Sequence, residues 1–209
     1  MFVQILVDNP DSWILPYADE LVSELTELGH NAILLSHHKD VQKGDILCLL
    51  SCEKIFKKLE LNKHNLVVHE SDLPKGRGWS PVTWQILKNV NRIPVTLFEA
   101  TQVADAGNIY LQDFMELDGT ELLFEIKHKQ GIITKKLIKN FIIQYLNIKG
   151  KPQKGKPTHF ARRSPEDSQL NIAKNIKEQF NLLRVCDNKR YPAFFVINGI
   201  KYIIRIGKK

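Results

Sequence analysis

The 209-residue sequence predicts an α/β protein built on a mostly parallel, twisted sheet with flanking helices. Three observations carry that expectation. Short, nearly continuous apolar runs ("FVQILVD", "NAILLS", "DILCLL", "NLVVHES") recur through the first seventy residues, as strands buried on both faces do. Segments of helical period alternate with them, which argues for a parallel sheet rather than a bundle or an all-β fold. Near the end, "AFFVINGIKYIIRI" places Asn198-Gly199 between two apolar runs, the strongest short hairpin signal.

The elements follow in order. "FVQILVD" opens as a strand and "DNPDS" turns the chain. From Pro16 to Leu28, Tyr17, Leu21, Leu25 and Leu28 recur at spacings of four, four and three, one helix face that Gly29 is placed to end. "NAILLS" and "DILCLL" are two strands, and "EKIFKKLE" is expected to be a short helix leading to "NLVVHES". "SPVTWQILKN" reads as a helix with Ser80 as cap and Pro81 at its first position. "IPVTLFEA" and "NIYLQDFMEL" are strands joined by "TQVADAG". A long helical pattern follows, with Thr120 as its expected cap and Gly131 as a weak point. "IKGKPQKGKPT" is a linker by composition, and "NIAKNIKEQFNLLRV" is a further helix before the hairpin. The expected organisation is one α/β domain over residues 1–150 and a linker, helix and hairpin annex over 151–209.

Composition is that of an ordinary globular protein, 43% apolar and 25% charged. With no long apolar run and no leader pattern, a cytoplasmic protein without a membrane span is expected. Three cysteines (Cys48, Cys52, Cys186) offer no disulfide framework, and no matching pair completes Cys48 and Cys52 as a metal site. His37 and His38 are adjacent and point apart, so no metal is expected there either. The net charge of +7 is uneven: residues 1–50 hold two basic and eight acidic residues, whereas Lys127 to Arg163 holds eleven basic and none acidic. That run is either a solvated helix face leading into a basic loop or an attractor of phosphates. No nucleic-acid signature accompanies it, so no nucleic-acid partner is expected.

Chemistry concentrates in "NLVVHESDLPKGRGWSP". His69 stands at the carboxyl end of a strand, where ligands collect in open parallel sheets. Asp105, in "VADAGN", lies among small neighbours (Ala104, Ala106, Gly107) that permit close approach to a partner. An Asp-His pair orients an imidazole for acid–base work; the alternative is a turn aspartate bonding its own backbone. "KGRG" is either a phosphate cradle or a plain surface loop. No GxGxxG loop, P-loop lysine or GxSxG elbow is present, which disfavours the corresponding dinucleotide, NTP and serine-hydrolase routes.

"HESDLPKGRGWSPVTWQIL" followed by "VTLFEATQVADAGNI" resembles the paired signature of formyltetrahydrofolate-dependent N-formyltransferases. "FARRSPEDSQLN" and "FNLLRVCDNKRYPAFFVINGIKY" extend the resemblance, with the flavour of nucleotide-sugar N-formyltransferases and methionyl-tRNA formyltransferase. It implies the formyltransferase fold, a Rossmann-like sheet, with His69 and Asp105 as the catalytic pair. It implies N10-formyltetrahydrofolate as co-substrate, with Val67 and Gly107 beside the folate and no metal. Ser71, Lys75, Arg77, Gly78 and Trp79 would line the acceptor site, Lys75 and Arg77 facing a diphosphate. Trp79 either covers the sugar or packs the loop, and Arg184 and Tyr191 either reach the nucleotide or fix the tail.

Within that family, only eleven residues follow Asn198, too few for the β-barrel domain of the methionyl-tRNA enzyme. "LVDNPDSWILPY" is not the glycine-rich phosphate loop of glycinamide ribonucleotide transformylase. The expected acceptor is therefore a nucleotide-linked amino sugar (UDP or dTDP), with a possible homodimer through the tail. One departure stands out. The family places an asparagine two residues before its histidine, where it helps hold the transferring formyl oxygen; here Val67 occupies that position. Asn65 shares the strand face but lies roughly 7 Å further along. Protonated His69, Ser71 or a backbone amide would have to act instead, or catalysis would be weak.

Overall fold

A computed structural model describes all residues, Met1 to Lys209. The strands are β1 (Phe2–Leu6), β2 (Asn31–Leu35), β3 (Gly44–Leu49), β4 (Asn62–His69), β5 (Arg77–Gly78), β6 (Arg92–Glu99), β7 (Ile109–Glu116), β8 (His159–Phe160), β9 (Ala193–Ile197) and β10 (Ile200–Ile204). The helices are α1 (Leu15–Glu27), α2 (Pro81–Leu87), α3 (Leu123–Ile143) and α4 (Phe180–Val185). Six strands form the central sheet in the order β2-β1-β3-β4-β6-β7. The first four are parallel, and β6 runs antiparallel to both β4 and β7. The sheet is thus mixed and mostly parallel, as expected. No helix is long and apolar enough to cross a membrane.

Period-2 alternation divides the strands between two faces. Ile5, Ile46, Leu66 and Leu97 enter one large core with Leu21 and Leu25 of α1, Ile86 of α2 and Leu137, Ile138 and Phe141 of α3. The other face carries only a small cluster of Leu6, Val41, Leu47, Leu49 and Phe56, against which Val67 and Ala100 pack. This thinly covered face leaves room for a cleft. On β4 it receives Asn65, Val67 and His69, while Leu66 and Val68 face the helices.

Several local expectations change. "EKIFKKLE" forms no α-helix, only a short 3-10 turn at Leu59–Leu61, because the Asp8 carboxylate takes the N–H groups of Glu53 and Lys54 and Phe56 is drawn into the small cluster. Ser80 precedes α2 in a left-handed conformation (φ 51°) and makes no side-chain cap bond. Thr120 does not cap α3; Glu125 reaches back to the N–H of Leu122, and the helix starts at Leu123. Gly131 is no weak point, since α3 runs unbroken and the ring of Tyr17 from α1 occupies the space a Cβ would need. Leu28, expected on the buried face of α1, is exposed.

The charge asymmetry largely closes on itself. Lys135 bonds Glu20 and Glu24 of α1, and Lys139 also bonds Glu24; Lys136 pairs with Asp113 and Lys129 with Glu121. The helical part of the basic run is therefore a paired face. Arg184, almost fully buried, pins α4 to the core through Asn181, Asn91 and the Glu121 carboxylate. Of its two expected roles, it fixes the tail.

Candidate active site

His69 ends β4 and is 7% exposed. Its Nε2 lies 2.8 Å from the carbonyl oxygen of Gly76 and 4.0 Å from Oδ2 of Asp105. Both neighbours are acceptors, so Nε2 carries the proton of the neutral ring and Nδ1 holds the lone pair. Nδ1 has no partner in the protein.

Asp105 arrives from the loop between β6 and β7, which folds back across the Val67 face. Its backbone is left-handed (φ 54°), a conformation aspartate tolerates. Gly107 makes the return possible, because a Cβ there would collide with the carbonyl oxygen of Glu99. Oδ2 of Asp105 accepts the N–H of Gly78 at 2.8 Å. The aspartate therefore holds the glycine loop directly, and the direct bond to His69 belongs to Gly76.

The glycine loop is not a phosphate cradle. Its N–H groups are all engaged: Lys75 to Asp72, Gly76 and Arg77 to Thr158, Gly78 to Asp105, and Trp79 to Phe160. β5 pairs in parallel with β8, which directly follows the linker. Close packing against Phe160 explains the glycines, since a Cβ on Gly76 would lie 2.6 Å from its ring and one on Gly78 2.6 Å from its carbonyl oxygen. Both also adopt positive φ.

A cleft of about 680 Å³ opens along the carboxyl edges of the central strands, a size ordinary for a small-molecule site. His69, Asp105, Val67, Gly78 and Trp79 line it. Trp79 is 44% exposed, with the Arg162 guanidinium over its ring at 4.7 Å. Ser71, Lys75, Arg77, Gly107 and Tyr191 do not line the cleft. Arg77 gives its guanidinium to Oε1 of Gln153 (2.6 Å). Ser71 is buried, its hydroxyl without a partner.

Gln153 is a site residue that sequence reasoning missed. Its Nε2 donates to the carbonyls of Asp105 (2.8 Å) and Gly107 (2.9 Å), and its Oε1 accepts from Arg77. One linker side chain thus fastens both loops that frame His69. A glutamine in a lysine-, glycine- and proline-rich stretch gave no signal. Lys127, Gln130 and Arg190 also line the cleft, and of these only Lys127 stood in a noted charge run.

Neither Asn65 nor the Gly78 N–H supplies a donor at the position of Val67. The Asn65 side chain donates to the carbonyl of Leu59 at 2.9 Å, and the Gly78 N–H is taken by Asp105.

Asp8, His38 and Cys52 bring potential metal-ligand atoms within 4.8 Å of one another, a grouping made by three loops and invisible in sequence. The cluster is already satisfied without a cation. Burial pushes the Asp8 carboxyl up, but the N–H of Glu53, the His38 ring and the N–H of Lys54 outweigh it and hold it below its ordinary range. Burial drives the Cys52 thiol up to about 12, so it stays protonated and donates to the carbonyl of Leu6.

No protein-family model matches the chain. Solved structures do. Methionyl-tRNA formyltransferase from Clostridium thermocellum superposes with a TM-score of 0.84 at 20% identity, over 100% of this chain and 93% of that one. This is the formyltransferase fold. A sugar N-formyltransferase from a Shewanella species superposes at 0.70 and 18% identity, over 100% of this chain and 98% of that one. HypX from Aquifex aeolicus in complex with tetrahydrofolic acid gives 0.78 at 18% identity, the chain spanning only 37% of HypX. The formyltransferase fold thus occurs in proteins named for different acceptors. Because the match reaches 93% of the methionyl-tRNA formyltransferase chain, length does not separate this chain from that relative.

Proposed function

We propose that the protein transfers a formyl group from N10-formyltetrahydrofolate to the amine of a nucleotide-linked amino-deoxy sugar, in a cytoplasmic step of surface-glycan biosynthesis. The observation that carries this reading is His69, with its unpartnered Nδ1, beside Asp105 in a cleft of the formyltransferase fold. The apolar walls offered by Phe56, Val67, Phe98 and Ala100 suit an aromatic pterin.

Formyltetrahydrofolate supplies an electrophilic formyl carbon. Nδ1 of His69 takes the proton from the attacking amine, while the Gly76 carbonyl holds Nε2–H and fixes the ring. Asp105 stands where it stabilises the positive charge the ring gains, and it keeps the Gly78 wall in place. The same imidazolium returns the proton to the departing amine nitrogen. Tetrahydrofolate and the nucleotide-linked amino sugar are the implied partners. The exposed hairpin residues Ile200, Tyr202 and Ile203 offer a self-association edge that a solution mass measurement checks.

Val67 favours a second reading: a relative that binds folate or sugar nucleotide without turning it over, having lost its amide donor. Incubation with N10-formyltetrahydrofolate and a panel of UDP- and dTDP-amino sugars separates the two. Formylation that disappears in His69→Ala supports transfer. Folate binding with no product on any amine, sugar or otherwise, supports the second reading and removes the first.

A further inference from the structure

A second cavity, of about 630 Å³, adjoins the cleft at the carboxyl ends of β1 and β2. The two share Lys54 and Ile55 in their walls. The second wall carries Lys39, Lys54, Lys57, His37 and His38 against a single acid, Asp8. That acid is already spent on His38 and two backbone N–H groups. The three lysines make no ion pair, whereas the lysines of α3 are matched by carboxylates. Convergence of unpaired cations on one concavity is self-repulsive and raises the local concentration of anions.

Position gives the cavity meaning. β4, which carries His69, lies two strands from β1 and three from β2, hence roughly 10–15 Å away at the usual strand spacing. We propose that this cavity is an anion subsite that holds the diphosphate of the acceptor while its amine reaches along the shared wall to His69. The identity of the acceptor rests on the formyl-transfer reading; the anion site itself does not. Lys54 stands between the two cavities, so it contacts the phosphate nearest the reacting sugar. The assignment also moves the diphosphate away from the glycine loop, whose N–H groups have no capacity left.

The test is calorimetric titration of the full chain with inorganic pyrophosphate, then with UDP and dTDP. Saturable binding is expected, weakened at least ~10-fold in Lys54→Glu/Lys57→Glu and unchanged in His69→Ala. Circular dichroism checks that the double variant, altered only at exposed side chains, is folded. No binding at millimolar pyrophosphate, or binding insensitive to the double reversal, overturns the proposal. So does displacement of pyrophosphate by tRNA but not by UDP or dTDP, which would make the cavity a polynucleotide contact. Lysine-dependent pyrophosphate binding in a chain that formylates no nucleotide-linked amine retains the anion site and removes the acceptor, so the two readings fail separately.

Discussion

Asp105 Oδ2 stands 4.0 Å from Nε2 of His69 and accepts the N–H of Gly78 at 2.8 Å. One side chain therefore combines a charge role and a scaffolding role, and substitutions separate them. Asp105→Asn can still accept the Gly78 N–H but carries no charge, whereas Asp105→Ala loses both. Formyl-transfer rates are expected to fall ~10²-fold in Asn and further in Ala, within the range of general acid–base contributions. Equal losses in the two variants would assign the whole effect to the charge, because Asn keeps the loop contact.

Val67→Asn restores a donor to the cleft wall. Initial rates at saturating co-substrate are expected to rise by one to two orders of magnitude, up to the ~10²–10³ attributed to one such donor. The new amide enters an apolar cluster with Phe56 and Leu49, so thermal unfolding should reveal a cost of about 1–3 kcal/mol. An unchanged rate would mean that the site already holds another donor for the developing oxyanion.

Gln153→Leu removes the fastening between the Asp105 and Arg77 loops. A displacement of about 1 Å at the site costs up to ~10²-fold in rate, so kcat should fall ten- to a hundredfold. Amide exchange at Gly78 should quicken in the same variant, which a purely global loss of stability would not confine to this loop.

Gly107→Ala forces a Cβ into the carbonyl of Glu99. Backbone must move, and destabilisation on the order of 3 kcal/mol is expected in chemical denaturation.

Acid weakens the α1–α3 contact. Hydrogen bonds from Lys135 and Lys139 hold the Glu24 carboxyl below its ordinary value of 4.5. A group depressed in the folded state adds stability that is complete above about pH 4.5 and is lost as pH falls through its folded value. Replacing both lysines by methionine should flatten the acid limb of stability measured between pH 6 and 3.

The strands of the sheet were legible because their apolar runs are short, β-branched and bounded by turn residues. The helix expected over "NIAKNIKEQFNLLRV" was only half right: α4 begins at Phe180. Asn171 and Asn175 accept the N–H groups of Ala173 and Glu178, a local competition with the helix that propensity does not register. The basic run was legible as charge but not as pairing, since Glu20 and Glu24 lie more than a hundred residues away.

Periodicity and local residue chemistry were enough to read the sheet, the hairpin and the motif pair that nominates His69 and Asp105. Folding alone settled what touches what. It gave His69 to the Gly76 carbonyl, Asp105 to Gly78, and both framing loops to Gln153, and it gathered three unpaired lysines around one cavity. The Asp105–Gly78 and Gln153 contacts join segments 27 to 76 residues apart, fixed by how a loop folds back over one sheet face, and sequence spacing carries no record of that return.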